Sequence, residues 1–221
     1  MQLVHAAHEP AGEGPHPTVL ALHGWGASAL DLLGLAPHLE GGRLLVLCPQ
    51  GPVEVPIGPG ARGYGWFPIS MGGPPERVPF DAGCAAIEAF LDQATRRYPI
   101  APGKLAILGF SQGGAMAYAL ALRQPQRFAA LAALSTWLVP GLVTGAAEAP
   151  RLDHLPVLVQ HGANDPMIPV ARGREAIERL RELQADVVYR EYDMGHEISG
   201  ASLRDLNDFL HRQLVSRLVE G

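Results

Sequence analysis

The sequence predicts an α/β fold, in which one domain is built on a mostly parallel central sheet with helices on both faces. Short apolar runs alternate with longer segments of helical periodicity along the 221 residues. This alternation is typical of a parallel sheet whose strands are joined by helices. The length fits a single domain over residues 1–221, large enough for one substantial core. Neither an internal repeat nor a linker divides the chain.

Strands and helices are predicted in alternation along the chain. The predicted strands are 18–22, 43–48, 105–108, 128–134, 155–162 and 187–192. The predicted helices are 28–36, 81–98, 112–123, 170–183 and a final one from about residue 202. Ser28 and Asp31 form a candidate capping pair for the first helix, which Pro37 ends. Asp81 is the candidate cap of the second helix.

A Gly-x-Ser-x-Gly pattern stands between the strand 105–108 and the helix 112–123. Its residues are Gly109-Phe110-Ser111-Gln112-Gly113. Such a turn presents a serine hydroxyl above a sheet, and the two glycines let the strand and the helix approach each other. The pattern therefore predicts Ser111 as a catalytic nucleophile. Taken alone, it is also compatible with an ordinary glycine-rich strand-to-helix turn.

An acid and a histidine follow in the chain order that this type of site requires. Asp165 lies in the turn after the strand 155–162, and His196 lies in the loop between the strand 187–192 and the last helix. Each residue alone has an ordinary interpretation, since aspartate is common in turns and a loop histidine is usually solvated. Three such residues in this order, each after a strand, predict a Ser111–His196–Asp165 triad.

The loop after the first predicted strand supplies a candidate oxyanion hole. The strand 18–22 runs into His23-Gly24-Trp25-Gly26, whose glycines let the backbone approach a substrate oxygen. Donors in such sites are backbone N–H groups of this loop and of the residue after the nucleophile. We therefore assign the donors to the N–H groups of Trp25 and Gln112. The loop also fits a simple strand-ending turn, and His23 is interpreted as structural.

These motifs together identify a family. The chain resembles the serine carboxylesterase/phospholipase group of α/β-hydrolases, which includes the acyl-protein thioesterases. The matching blocks are Leu22-His23-Gly24-Trp25-Gly26, Trp66-Phe67, Gly109-Phe110-Ser111-Gln112-Gly113-Gly114, Leu134-Ser135-Thr136-Trp137, the run 161–169 around Asp165, and Met194-Gly195-His196-Glu197-Ile198. The resemblance implies the α/β-hydrolase fold and hydrolysis of carboxylic esters by the triad, with no metal and no organic cofactor. The chain departs from the family at Trp25 and Ala27, where a small aliphatic and an acidic residue are common.

Residues 51–79, with seven glycines and seven prolines, form a second candidate part of the site. Long loops inside a compact domain are usually functional or disordered, and ligands of α/β sheets bind at the carboxyl ends of the strands. We therefore expect an irregular cover over the acyl site at about 51–79, with Trp66 and Phe67 as an apolar, substrate-binding wall. The alternative that these aromatics merely anchor the loop stays open. A second irregular stretch spans residues 140–154.

The composition limits the classes of molecule that the protein is expected to bind. The net charge is −5 and no basic run occurs, so nothing favours nucleic acid or an anionic membrane surface. No apolar segment approaches the ~18 residues that cross a bilayer, and the first ten residues lack the pattern of a signal peptide. We expect a cytoplasmic enzyme with a small-molecule ester substrate, and a homodimer stays open. Cys48 and Cys84 have no metal spacing and are predicted to be buried free thiols.

Other functions are compatible with parts of this pattern. Within esterases, the sequence does not separate simple esters of short to medium acyl chains from lysophospholipids or acyl thioesters. A non-hydrolytic binding protein can share the fold, but here every catalytic element is present. A haloalkane dehalogenase would need an aspartate at position 111, and a serine peptidase of this fold usually carries a further substrate-gating domain. A carboxylesterase is therefore the principal prediction.

Overall fold

A computed structural model describes residues 3–69, 74–139, 141 and 152–216. Its strands are β1 (His5–His8), β2 (His16–Leu22), β3 (Leu45–Pro49), β4 (Val53–Gly58), β5 (Ala61–Gly65), β6 (Ile100–Phe110), β7 (Ala130–Leu134), β8 (Pro156–Gly162) and β9 (Asp186–Tyr192). Seven of them form one sheet in the order β1-β3-β2-β6-β7-β8-β9. Strand β1 pairs antiparallel with β3, and the other neighbours in this sheet are parallel. The predicted mostly parallel sheet is confirmed.

The strand order creates a crevice at the centre of the sheet. From β2 the chain moves outward to β3 on one side, whereas from β6 it moves through β7 and β8 to β9 on the other side. The connections leaving the carboxyl ends of β2 and β6 therefore diverge, which is the position where open α/β sheets bind ligands. The candidate oxyanion loop follows β2 and Ser111 follows β6, so both lie at this point.

Two apolar cores cover the faces of the sheet. The α-helices are α1 (Arg77–Arg97), α2 (Gln112–Arg123), α3 (Ala171–Glu182) and α4 (Gly200–Leu210). Because successive side chains of a strand point to opposite faces, Leu20 and Leu22 of β2 pack with α1, α2 and α3. Val19 and Ala21 of β2 pack on the other side with α4 and a 3-10 helix. Helix α2 has the predicted bounds, and its apolar residues are buried throughout.

The first two predicted helices begin at the wrong residues. The segment predicted as 28–36 is a 3-10 helix at Leu32–His38 that contains Pro37. The Ser28 hydroxyl instead accepts from the Leu30 N–H at 3.3 Å, so it closes a local turn rather than capping a helix. Helix α1 begins at Arg77 because Pro79 falls in its first turn, where a missing N–H costs nothing. Asp81 therefore lies inside the helix and pairs with Arg77 rather than capping.

Residues 51–79 are more regular than the sequence predicts. Strands β4 and β5 form an antiparallel hairpin, with Gly58 and Gly60 at its turn. The hairpin docks on the oxyanion loop through two hydrogen bonds of 2.8 Å, from the Gly26 N–H to the Tyr64 carbonyl and from the Tyr64 N–H to the Ala27 carbonyl. A Cβ on Gly63 would lie 1.9 Å from the Gly26 carbonyl oxygen, so the docking requires a glycine there. The expected irregular cover is thus partly a docked hairpin, and residues 70–73 lie outside the described chain.

The structure also bears on the cysteines, on membrane-spanning helices and on the stretch 140–154. Cys48 and Cys84 are both buried and free, as predicted. Within the described ranges, no helix is long and apolar enough to cross a membrane. Most of the predicted irregular stretch 140–154 lies outside the described residues.

Candidate active site

Ser111 occupies a strained turn between β6 and α2. Its backbone has φ 54° and ψ −121°, a conformation that residues with a side chain rarely adopt. The Ser111 N–H donates to the Leu134 carbonyl at 2.9 Å, and the Ser111 carbonyl accepts from the Thr136 hydroxyl at 2.6 Å. The turn is therefore held from the neighbouring strand β7 and the segment that follows it.

Close backbone contacts explain why glycines flank this serine. A Cβ on Gly109 would lie 2.3 Å from the Gly113 carbonyl oxygen, so strand and helix could not approach as they do. A Cβ on Gly113 would lie 2.0 Å from the Leu22 carbonyl oxygen at the end of β2. The predicted role of the glycines thus has a specific cause: the start of α2 packs directly on the backbone that leads into the oxyanion loop.

The structure brings His196 and Asp165 into direct contact. The His196 Nδ1 lies 2.7 Å from the Asp165 Oδ2, and the carboxylate is fully buried. The other oxygen, Oδ1, accepts from the backbone N–H groups of Met167 at 2.9 Å and Ile168 at 2.8 Å. Burial alone would raise the pKa of Asp165, but the hydrogen bonds from His196, Ile168 and Met167 lower it below its ordinary value. The carboxylate is therefore kept charged beside the imidazole.

The orientation of the His196 ring is constrained on two sides. Its ring packs against Phe110 with centroids 4.8 Å apart, and its side chain is only 10% exposed. Because a carboxylate oxygen accepts the hydrogen bond at Nδ1, the proton of the neutral ring sits on Nδ1 and the lone pair on Nε2. Ser111 and His196 line one cleft. The three residues predicted from three separate loops thus lie at a single site.

The loop that carries one of the predicted oxyanion donors lies beside Ser111. A Cβ on Gly24 would lie 3.3 Å from the Ser111 Cβ, which measures how closely the loop approaches. Gln112 is the first residue of α2, so its N–H has no partner within the helix. In the described chain, no turn or loop carbonyl accepts from the N–H of Trp25 or Gln112. Among the described residues, these two N–H groups therefore have no backbone acceptor and can donate to a bound ligand.

The side chain of Gln112 has a role that the sequence did not indicate. Its Oε1 accepts from the Trp66 N–H at 2.8 Å, and its Nε2 donates to the Phe67 carbonyl at 2.7 Å. The amide is buried. It therefore ties the residue after Ser111 to the chain that leaves the hairpin. The available signal was a polar residue opening an otherwise apolar helix.

Of the two aromatics expected at the acyl wall, the structure places only Phe67 on the cleft. Trp66 is buried, and its indole N–H donates to the His23 carbonyl at 2.9 Å. Trp66 therefore supports the candidate oxyanion loop through this hydrogen bond. The His23 Nε2 accepts from the Gly51 N–H at 3.0 Å, and burial lowers the pKa of His23. This fits the structural interpretation of His23.

The cleft above Ser111 is apolar over most of its wall and has a volume of about 710 Å³. This volume is in the usual range for small-molecule sites. Its described apolar side chains are those of Trp25, Ala27, Phe67, Ile69, Pro75, Phe110, Trp137, Met167 and Ile168. The indole of Trp25 lies against Gly65, where a Cβ would come within 2.3 Å of the Trp25 Cε3. The hairpin thus fixes where this large side chain stands in the cleft.

Known proteins match both the sequence and the fold. The model of the Phospholipase/Carboxylesterase family matches residues 4–214. The chain is 30% identical over 203 residues to acyl-protein thioesterase 1 of Gibberella zeae, covering 87% of this chain and 85% of that protein. It is 28% identical over 207 residues to carboxylesterase SOBER1 of Arabidopsis thaliana, covering 89% and 90%. The crystal structure of esterase PE8 superposes with a TM-score of 0.83 and 27% identity, covering 97% of this chain and 100% of that one.

The fold, the family match and the relatives lead to one assignment. The mostly parallel central sheet carries the strained serine turn and the buried aspartate–histidine pair. The match to the family model then covers nearly the whole chain. The chain therefore belongs to the phospholipase/carboxylesterase family of α/β-hydrolases and is a carboxylic ester hydrolase.

Proposed function

We propose that this enzyme hydrolyses esters of short to medium acyl chains through an acyl-enzyme intermediate, with Ser111 as nucleophile, His196 as base and Asp165 as its orienting carboxylate. The observation that carries the proposal is the 2.7 Å contact between His196 and Asp165 beside a serine in a strained turn. A serine hydroxyl is a weak nucleophile unless a neighbouring base takes its proton. The cleft supplies that base in the required tautomer.

In the first half of the reaction, the Ser111 Oγ attacks the ester carbonyl while its proton passes to the His196 Nε2. The negative charge that develops on the carbonyl oxygen is stabilised by the N–H groups of Trp25 and Gln112. Asp165 stabilises the imidazolium through Nδ1. When the tetrahedral intermediate collapses, the bond to the leaving alcohol breaks. His196 then gives its proton to the alcohol oxygen, and the acyl group stays on Ser111.

In the second half, water takes the place of the alcohol. The His196 Nε2 accepts a proton from water, whose oxygen attacks the acyl carbonyl. The same two N–H groups stabilise the second tetrahedral intermediate. Its collapse breaks the bond to the Ser111 Oγ, which regains the proton from His196, and a carboxylic acid leaves. The cycle consumes one water molecule and needs neither an electron acceptor nor a donor.

The acyl preference follows from the position of Trp25. Its indole stands in the cleft against Gly65, and a volume that it fills is closed to an alkyl chain. Each methylene that fits adds at most ~0.8 kcal/mol of burial, so kcat/KM is expected to rise with acyl length until the pocket is full. We place this limit at roughly C4 to C8 on this volume argument.

Thioesters are the second candidate substrate class, because one relative is named an acyl-protein thioesterase. The proposed machinery attacks an ester and a thioester carbonyl in the same way, so the leaving group decides between them. A panel of p-nitrophenyl esters, lysophospholipids and acyl-CoA thioesters of matched acyl length separates the classes. A kcat/KM for thioesters well above that for esters of the same chain would replace the ester assignment.

The nucleophile is tested with Ser111→Ala. We expect turnover of p-nitrophenyl butyrate to fall by about 10⁴-fold or more with the melting temperature unchanged, since nucleophile and base act as a unit. A serine-directed phosphonate is expected to add mass at Ser111 alone. Labelling of another serine, or full activity of the alanine variant, would contradict the assignment.

A further inference from the structure

A second histidine lies beside the Asp165 carboxylate and does not belong to the described lining of the cleft. His161 is near the end of β8, and its side chain is fully buried. Its Nε2 lies 2.8 Å from the Ile168 carbonyl oxygen and 3.6 Å from the Asp165 Oδ2. That carboxylate oxygen is the one that accepts from the His196 Nδ1 at 2.7 Å. The mechanism described above does not use His161.

The contacts of His161 define its tautomer. A carbonyl oxygen can only accept a hydrogen bond, so the Nε2 of His161 carries a proton and donates it to Ile168. Its Nδ1 is buried and has no hydrogen-bond partner in the described part of the chain. Gly173 of α3 closes this side of the ring, because a Cβ there would lie 2.8 Å from Nδ1. The ring is thus packed in place with a single donor, aimed at the Asp165 turn.

The His161 N–H and the Asp165 carboxylate hold the same residue from both sides. The Ile168 N–H donates to the Asp165 Oδ1 at 2.8 Å, while the Ile168 carbonyl accepts from His161. The turn that presents the carboxylate is therefore fixed to β8 by one side-chain hydrogen bond. A carbonyl that loses its donor is left without that hydrogen bond, so removing the His161 N–H favours a different arrangement of the turn.

We propose that His161 is a positioning residue for the reaction: its Nε2–H holds the turn 165–168, and thereby sets the contact between Asp165 and His196. The proposal rests on the proposed roles of those two residues. His161 touches neither the cleft nor the nucleophile in the described structure. Its effect is expected in the basicity of His196, because the Asp165 carboxylate stabilises the imidazolium only at hydrogen-bond distance.

Charged groups near the His161 ring come from two elements. Asp165 faces it from its own turn, with His196 beyond that carboxylate. Glu191 stands opposite His161 in the parallel register of β8 and β9. Hydrogen bonds from Arg174 and Tyr189 lower the pKa of Glu191 to about 2. Glu191 therefore stays charged and paired across the pH range of an esterase assay.

The test compares His161→Leu, which removes the donor at similar size, with His161→Gln, which keeps an amide N–H on a side chain of similar reach. The kcat and KM for p-nitrophenyl butyrate are measured from pH 5 to 9 and divided by the fraction of sites that a phosphonate titrates. For His161→Leu we expect a kcat reduced about 10- to 100-fold, little change in KM and a lower pH for the kcat/KM inflection. For His161→Gln we expect recovery of most of the kcat and of the inflection.

Two outcomes overturn the proposal. One is His161→Leu with the wild-type kcat per titrated site and an unmoved pH inflection, whatever its melting temperature. The other is His161→Gln behaving like the leucine variant in a protein that melts normally. If His161→Leu does not fold, Gly173→Ala displaces the ring without removing it. We then expect a three- to ten-fold lower kcat and the same shift of the inflection, and an unchanged profile refutes the idea.

Gly200 offers a matched control for the glycine-to-alanine change. Gly200→Ala adds a methyl to a helix where the nearest atom is 3.6 Å away, so it is expected to leave both kcat and the inflection unchanged. Failure of the proposed function would appear elsewhere, as activity in Ser111→Ala or labelling of another serine. The two proposals can therefore fail separately.

Discussion

Replacing Gly113 by alanine tests whether the start of α2 and the oxyanion loop must touch for catalysis. In the structure the added Cβ would lie 2.0 Å from the Leu22 carbonyl oxygen and 2.6 Å from that of His23. Both atoms are backbone, so no rotation of a side chain can relieve the contact. Helix and strand must separate instead.

The size of this separation sets the expected effect. Ordinary contacts of a Cβ begin at about 3.4 Å, so the shortfall from 2.0 Å is about 1.4 Å. Gln112 belongs to the helix and Trp25 to the loop, and their N–H groups would move apart by a comparable amount. A misplacement of about 1 Å can cost 10²-fold, and loss of one oxyanion donor costs about 10²–10³ in kcat. We therefore expect kcat/KM to fall by at least about 10²-fold.

The assay is hydrolysis of p-nitrophenyl butyrate, with melting temperature and phosphonate titration as measures of folding. Overpacking of this kind also destabilises by about 1–3 kcal/mol, so rates are compared per titrated site. Gly34→Ala is the matched control, because no atom lies within 4 Å of its added Cβ. A folded Gly113→Ala enzyme with kcat/KM within a few-fold of wild type would refute the reasoning.

Other properties of the site give further predictions. Trp25→Leu is expected to move the optimal acyl length beyond roughly C8, as measured by kcat/KM on a series of p-nitrophenyl esters. A variant whose kcat/KM changes by the same factor at every acyl length would contradict the proposed limit. The pKa of Asp165 is lowered in the folded state. Its charged carboxylate therefore adds to the free energy of unfolding at a pH above the ordinary pKa of an aspartate. This contribution is lost as the pH falls through the lowered pKa of the folded state. Urea unfolding at pH 6 and pH 3 is expected to show that the free energy of unfolding falls more for the wild type than for Asp165→Asn. Equal decreases in the two proteins would count against this. Burial raises the pKa of Cys48 and Cys84 to about 12, so a thiol reagent at pH 8 is expected to modify them only after unfolding; rapid reaction of the native protein would disagree.

Much of the candidate site could be predicted because its residues stand in short local patterns. The nucleophile turn needs a strand, a serine with glycines two positions away and a helix, and these are adjacent in the chain. The bounds of α2 followed from its apolar residues and the Gln124-Pro125 that ends it. Strands are recognisable where apolar residues run together or alternate. The order of serine, acid and histidine needed no knowledge of distances.

Local patterns give a wrong prediction where a high content of glycine and proline indicates irregular chain. Residues 53–65 form a hairpin because its backbone pairs with itself and then docks on Gly26 and Ala27, a contact that composition does not report. The sequence pattern also predicts that the second helix begins after Pro79, whereas Pro79 lies in the first turn of α1. Both errors arise because tertiary contacts, and position within a helix, decide what a proline or glycine does.

The sequence by itself determined the candidate residues of the site and the order in which they follow the strands. Only the tertiary structure decided how they meet. The Gln112 amide reaches residues 45 and 46 positions away, and Asp165 contacts a histidine 31 positions away. Trp66 and Phe67 are neighbours with similar side chains, yet one supports the loop and the other lines the cleft. Their directions depend on how the hairpin docks, and that packing depends on distant parts of the chain.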